Sequence, residues 1–392
     1  MKSFQAETEN LREQLIAWRR DFHRHPEIAF EETRTAGIVA QRLNELGLEV
    51  QTGVGKTGVV GILEGAADGP TVLVRADMDA LPIQEVNDVP YRSEKPNTMH
   101  ACGHDAHTAI ALGVATLLAQ HREQLAGRVK FVFQPAEEIG EGAKAMIDDG
   151  VLTYPTPDVA VGLHVWNTLP VGQVAVTDGP AMAGVDSFRM QITGSGGHAA
   201  EPQQTRDPVI AAAHIMTAAQ TIVSRNVRAL DAAVVSFTRM MGGDAFNVIP
   251  DSVELWGTLR NFSAEIRDIL IERLGQIAQG VAQGFECTVD LEIARTLPPL
   301  INDSNIGERL RQGFASIRPD LTVVDDLRTM GAEDMGLFLR AVPGVYFFVG
   351  SANSQRGFDF PHHHPRFDID EEALTIGTSL LTSAVADYVW SR

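Results

Sequence analysis

The chain has only two cysteines among 392 residues. Two thiols could form one disulfide but are no disulfide framework in a chain of this size, and in a cytosolic protein they are expected to be reduced. Positive charge is also scarce, with 32 Lys and Arg against 51 Asp and Glu and a net charge of −19. That balance excludes nucleic acid and anionic membranes as partners held by bulk electrostatics. An anionic substrate would need a local cluster of donors. No stretch approaches the roughly 20 consecutive apolar residues that span a bilayer. The opening Met1–Glu9 carries acids where a signal peptide needs a basic start and an apolar core, so a cytoplasmic location is expected. Internal repeats and low-complexity segments are absent as well.

What is present is the make-up of a soluble globular protein, 44% apolar and 21% charged. The length implies about two domains. Apolar residues recur at helical spacing over Leu11–Phe22 and Glu31–Leu46, with Pro26 between them. Strand-like runs follow at 57–63, 71–74, 129–133 and 159–165, an alternation that indicates an α/β sheet with helices on both faces. The pattern changes after Gly179-Pro180. A strand at 187–193, a helix at 208–224, strands at 233–237 and 253–259, a helix at 264–285 and a strand at 288–293 spell β-α-β-β-α-β, the ferredoxin-like unit. Leu297-Pro298-Pro299 ends it; a strand at 346–349 and a helix at 371–390 resume the first pattern. The expected organisation is a discontinuous mixed-sheet domain, 1–181 and 297–392, with a smaller domain, 182–296, inserted into it.

The densest chemistry lies in Met99-His100-Ala101-Cys102-Gly103-His104-Asp105-Ala106-His107, three histidines and a cysteine in nine residues. Thiolate, imidazole and carboxylate hold transition metals. Asp105 has the residue type of an N-cap for a helix over 106–119. Cys102 reads as a ligand; Cys287, in an apolar strand-like run, reads as a buried filler. Three other strand-like runs lead into ligand-type residues: Val72–Arg75 into Asp77 and Asp79, Val129–Phe133 into Glu137 and Glu138, Val159–Leu163 into His164. A fourth, Tyr346–Val349, is followed after a loop by His362-His363-His364. Open α/β sheets collect ligands at the carboxyl ends of their strands. Singly, each has a plain structural reading: Asp77 and Asp79 as turn residues, the glutamates as a solvated strand end, His164 as a core histidine, the triple histidine as a polar loop. Together they point to one metal crevice. Adjacent strand-end glutamates point in different directions. One can bind metal while the other moves the proton of an attacking water.

With these residues in view, the chain resembles the two-metal amidohydrolases related to aminoacylase and carboxypeptidase G. Within them it is most similar to the branch of hippurate hydrolase, the indole-acetyl-amino-acid hydrolases and N-acetyl-diaminopimelate deacetylase. The resemblance is carried by Arg75–Pro82, Met99–Ala109, Phe133–Gly142 with Lys144–Leu152, Gly194–Ala200, Phe246–Pro250, Gly257–Arg260 and His363–Phe367. It implies Cys102, His104, Glu138, His164 and His363 as metal ligands, Glu137 as general base, and Asp79 as the acid behind the ligands. Asp77 stands where other branches have a ligand histidine, a duty the cysteine loop takes over here. His363 is singled out by its place two residues before Pro365, and His362 departs from an otherwise apolar position. The resemblance further implies that the inserted domain is a lid and dimer interface. His198 would bond the substrate near its scissile carbonyl, and Asn247 and Arg260 would hold its carboxylate, a task suited to the arginine fork. The implied cofactors are two divalent ions per subunit, zinc or manganese, with cobalt or nickel also accepted by such a donor set. The implied activity is hydrolysis of N-acyl-amino acids by a homodimer, or a homotetramer. A carboxypeptidase or dipeptidase is the rival enzyme. A binding protein that has lost catalysis is the rival of another class, and the intact Glu137-Glu138 pair argues against it.

Overall fold

The computed structural model describes residues 1–391. They form two compact units: Met1–Gly179, Ile301–Arg328 and the chain from Asp334 onward make the first, and Pro180–Leu300 with Thr329–Glu333 the second.

The first unit is built on an eight-stranded mixed sheet. Its strands lie in the order 49–54, 58–64, 126–134, 67–77, 159–170, 344–352, 173–175, 322–324. The central strands Ala67–Asp77, Ala126–Gln134, Val159–Pro170 and Gly344–Ala352 run parallel to their neighbours within this group. Such strands are buried on both faces and read as near-continuous apolar runs, as Val72-Leu73-Val74 and Val345–Val349 do. Val345, Phe347 and Val349 join the large core beneath the helices Arg12–Arg24, His104–Gln120 and Glu372–Val389. The alternating Tyr346 and Phe348 face the other way, the side of the short helices Gly142–Asp148 and Met335–Ala341.

Helix His104–Gln120 is apolar around most of its circumference, as a helix enclosed by other elements must be. Its Gly113 is required by packing: a Cβ there would meet Leu15 Cδ2 at 2.7 Å and Thr378 Cγ2 at 2.9 Å. The expected N-cap at Asp105 is corrected by the structure. Gly103 is the N-cap, at φ 93°, and Asp105 lies buried in the first turn, where tertiary ion pairs claim its side chain. His164 lies inside its strand, which continues to Pro170, rather than at the strand's end.

The second unit is a four-stranded antiparallel sheet in the order 233–241, 252–261, 184–193, 288–297. Helices Pro208–Ala219 and Ala264–Gly284 cover one face through Phe188, Met190, Ile192, Leu255, Leu259, Leu270 and Leu274. This is the ferredoxin-like order. The single helix expected over 208–224 is interrupted at Gln220, and Thr221–Arg225 forms a separate turn of helix.

Candidate metal centre

The site grows from the carboxyl ends of the parallel strands. Strand Ala67–Asp77 delivers Asp77 and, two residues on, Asp79, with the Met78 N–H donating to Gln134 O at 2.9 Å. The neighbouring strand ends at Gln134 and turns sharply through Ala136, at φ 55°. A buried carboxylate holds that turn: Glu32 Oε1 accepts the Ala136 N–H at 2.9 Å. Glu137 and Glu138 follow. The Glu138 N–H donates to Asp79 Oδ2 at 3.0 Å, while Asp79 Oδ1 lies 3.2 Å from His104 Nδ1. Asp79 thus braces two segments at once.

Cys102 and His104 flank Gly103. Side chains at 103 are excluded because a Cβ would stand 2.4 Å from Val165 Cγ2. His363 is held at φ 65°, and its N–H donates to Ala101 O at 2.8 Å, tying the last contributing segment to the cysteine loop.

The donor atoms converge in overlapping groups, each within 4.8 Å: Cys102, His104 and His164; Cys102, Glu138 and His363; His104, Glu137 and Glu138. Cys102 Sγ is 3.6 Å from His164 Nε2, and His363 Nε2 is 3.3 Å from Glu138 Oε2. Cys102 belongs to two of these groups, and so does Glu138.

Hydrogen bonds sort the imidazoles. His104 Nδ1 donates to Asp79 O at 2.9 Å and His164 Nδ1 to Val165 O at 2.7 Å, which leaves each Nε2 lone pair for a ligand. His104 Nε2 and Glu138 Oε1 are buried polar atoms with no hydrogen-bond partner. Burial disfavours charge on His104, yet Asp77, Asp79 and Glu138 outweigh it and raise its pKa to about 10. The position attracts positive charge, as a proton or as a metal ion. On this donor chemistry the residues fit a bound divalent ion.

Asp77, His104 and His107 form another close group, but the bonding argues against a metal there. His107 Nε2 accepts the Val165 N–H at 2.9 Å, so its Nδ1 carries the proton toward Asp77 Oδ1 at 2.5 Å. Asp77 also receives Arg75 Nη1 at 2.7 Å. This relay was not visible in the spacing of the three histidines. His100, the third of them, is buried with both nitrogens unpartnered, and burial lowers its pKa to about 4. In the triple histidine, His362 packs on the Trp166 ring at 4.6 Å and accepts the Asn167 N–H, and His364 stacks on Phe360; His363 is the one that meets Glu138.

In the second unit, the short pairing of Gly197-His198 with Val248-Ile249 sets His198 beside Asn247, whose carbonyl accepts the Ala199 N–H at 3.1 Å. His198 is exposed, and its Nδ1 accepts the Ala200 N–H at 3.1 Å, so a neutral ring presents Nε2–H outward as a donor. Arg260 lies on the face of the sheet away from the helices, bonded to Thr258 Oγ1, and among the described residues it has no carboxylate ion pair.

Residues 73–387 match the family model described as peptidase family M20/M25/M40. The chain is 40% identical to the N-acetylcysteine deacetylase of Bacillus subtilis, over 93% of this chain and 94% of that one. It is 41% identical to IAA-amino acid hydrolase ILR1-like 4 of Arabidopsis thaliana, over 96% and 86%. Among solved structures it is similar to the Bacillus subtilis YXEP protein, described as a dinuclear metal binding peptidase from the M20 family, with TM-score 0.84 and 36% identity over 97% and 99% of the two chains.

Proposed function

The chain belongs to peptidase family M20/M25/M40 and is a metal-dependent amide hydrolase, and from that premise we propose that it cleaves N-acyl-amino acids into a carboxylic acid and a free amino acid. The observation that carries this reading is the convergence of Cys102, His104, Glu138, His164 and His363, with unpartnered Nε2 and Oε1 atoms, beside a second glutamate, Glu137. These five residues hold two divalent ions, zinc or manganese, with cobalt or nickel as substitutes; the thiolate and imidazoles favour zinc. When bound, the ions supply Lewis-acid polarisation of the carbonyl and a lowered pKa for water.

Glu137 takes the proton of the attacking water as its oxygen bonds to the amide carbon. It returns that proton to the nitrogen as the C–N bond breaks. Asp79 keeps the lone pair of His104 aimed at the ions by holding Nδ1–H. His198 donates Nε2–H to the carbonyl oxygen as it gains charge. Asn247 and Arg260 hold the substrate carboxylate, for which a half-buried guanidinium with no carboxylate ion pair among the described residues is suited. The second unit acts as a lid and as the interface of a homodimer, or of a homotetramer, in the cytoplasm. Among the described residues no helix is long and apolar enough to cross a membrane.

The test is release of free amino acid from N-acetyl, N-benzoyl (hippurate-type) and indole-acetyl amino acids and from dipeptides, with and without chelator. Chelator-sensitive cleavage of the acyl amides supports the reading and names the preferred acyl group. Cleavage of dipeptides alone would replace it with the second reading, a carboxypeptidase or dipeptidase, which the family's peptidase members favour. Silence across the panel in metal-replete protein would overturn both.

A further inference from the structure

Behind the ligand cluster lies a second assembly of buried charge that the hydrolytic reading does not use. Arg19, on helix Arg12–Arg24, is wholly buried. Its Nε donates to Asp105 Oδ2 at 2.9 Å and its Nη2 to Asp368 Oδ1 at 2.6 Å; Glu371 Oε1 lies 3.4 Å from Nη1. His23 Nδ1 meets Asp105 Oδ2 at 2.7 Å, and Tyr91 Oη donates to Asp368 Oδ2 at 2.8 Å.

The two carboxylates stand 86 and 349 positions from Arg19 in the chain. Asp105 is the residue directly after His104, and Asp368 lies five after His363. The Asp368 carbonyl accepts Asn167 Nδ2 at 2.8 Å, three residues beyond His164. One guanidinium therefore bolts together segments that carry four of the assigned ligands, Cys102, His104, His164 and His363. Both ligand segments contain a left-handed residue, Gly103 at φ 93° and His363 at φ 65°, so an outside brace is needed to fix where their donors point.

We propose that Arg19 is a positioning residue that sets the register of the cysteine loop against the His363 segment, and so sets metal affinity without touching the metal. The proposal rests on the ligand assignment given above. A planar fork can hold two carboxylates in fixed directions; a lysine ammonium keeps the charge and loses that geometry. Arg19→Lys should thus preserve the fold and loosen the ligands.

The test uses the full metal-free chain at 25 °C, with Co(II) as the probe. Its thiolate charge-transfer band is followed in wild type, Arg19→Lys, Asp368→Asn and the milder Tyr91→Phe, with chelator competition for affinity and thermal melts for folding. Expected is a Co(II) affinity reduced about 10–100-fold in Arg19→Lys and in Asp368→Asn, with cooperative melts well above 25 °C and a smaller loss in Tyr91→Phe. Affinities within twofold of wild type in the folded variants, with only the melting temperature lowered, would overturn the proposal and leave Arg19 a stability element. Should Arg19→Lys fail to fold, Asp368→Asn and Tyr91→Phe decide by the same criterion. Cys102→Ala separates the two readings: a wild-type band that survives this substitution sinks the ligand assignment and the proposal with it.

Discussion

Two buried ionic assemblies stand side by side in the first unit and differ in one respect. Around Arg19 every carboxylate but one meets a cation besides histidine: Arg19 reaches Asp105, Asp368 and Glu371, Arg20 also pairs with Glu371, and His23 lies between Asp105 and Glu85. Arg75 likewise pairs with both Asp77 and Asp334. The ligand cluster is built the other way. Among the described residues the ion pairs of Glu138 are with imidazoles alone, Asp79 meets His104 and a backbone N–H, and no lysine or arginine pairs with either. A buried charge without a partner is expensive. An assembly that leaves out its cation is organised to receive one, and the two assemblies should respond oppositely to mutation and to metal.

The largest expected effect tests catalysis alone. Glu137→Gln should lower kcat by about 10²–10⁴-fold while Co(II) or Zn(II) stoichiometry, read by metal analysis, stays at the wild-type value; near-full activity would sink the proton-transfer role. Next comes the Arg19 assembly. Arg19→Met strands buried carboxylates and should cost about 3–5 kcal/mol, seen in urea unfolding of the metal-free protein, with a further loss in metal as the affinity falls. A loss seen only in the metal-bound protein would erase the contrast. Third is the cation-deficient assembly. Saturating metal at 100 times Kd should stabilise the wild type by about 2.7 kcal/mol. Glu138→Gln should forfeit most of that gain while changing metal-free stability by less than about 1 kcal/mol.

The smallest effect is a pH dependence. Burial and Arg19 oppose charge on His23, but Asp105 and Glu85 prevail and raise its pKa to about 9. A raised pKa stabilises the fold fully below the unfolded value of about 6.5, and that stabilisation fades as pH climbs through 9. In chelator, the His23 contribution, on the order of 2 kcal/mol, should be lost between pH 6.5 and 10, on top of any loss from His104, and His23→Gln should lose less than the wild type by that amount. Parallel melting curves for the two proteins would remove His23 from the charge balance.

Much of this was legible in the chain because strands and ligands obey local rules. Parallel strands announce themselves as apolar runs, and an acid or histidine placed just after such a run stands out. The β-α-β-β-α-β order follows from element sequence alone. What stayed hidden depends on the partner rather than the residue. Arg19 and Arg20 are neighbours of the same type, yet one is buried and the other is 42% exposed; nothing local distinguishes them. Asp105 has the residue type of a helix cap, and the ion pairs with Arg19 and His23 overrode that preference. His100, His104 and His107 look alike in a nine-residue run, and only their hydrogen-bond partners separate ligand geometry, relay and neutral core. Glu32, which pins the turn before Glu137 from 104 positions away, carried no signal at all.

The span of the Arg19–Asp368 bond has a consequence for synthesis. A chain made at about 5–20 residues per second spends roughly 20–70 s between these two residues, which lie 349 positions apart. From the synthesis of His164 until that of His363 the nascent chain displays Cys102, His104, Glu138 and His164 without the segment that contributes His363 or the Asp368 carboxylate that seats Arg19. The metal pocket is closed by a segment made well after the other four donors. A product truncated before Pro361 keeps most of the donor atoms and lacks the clasp, so the centre reports on whether the His363–Asp368 segment has been made.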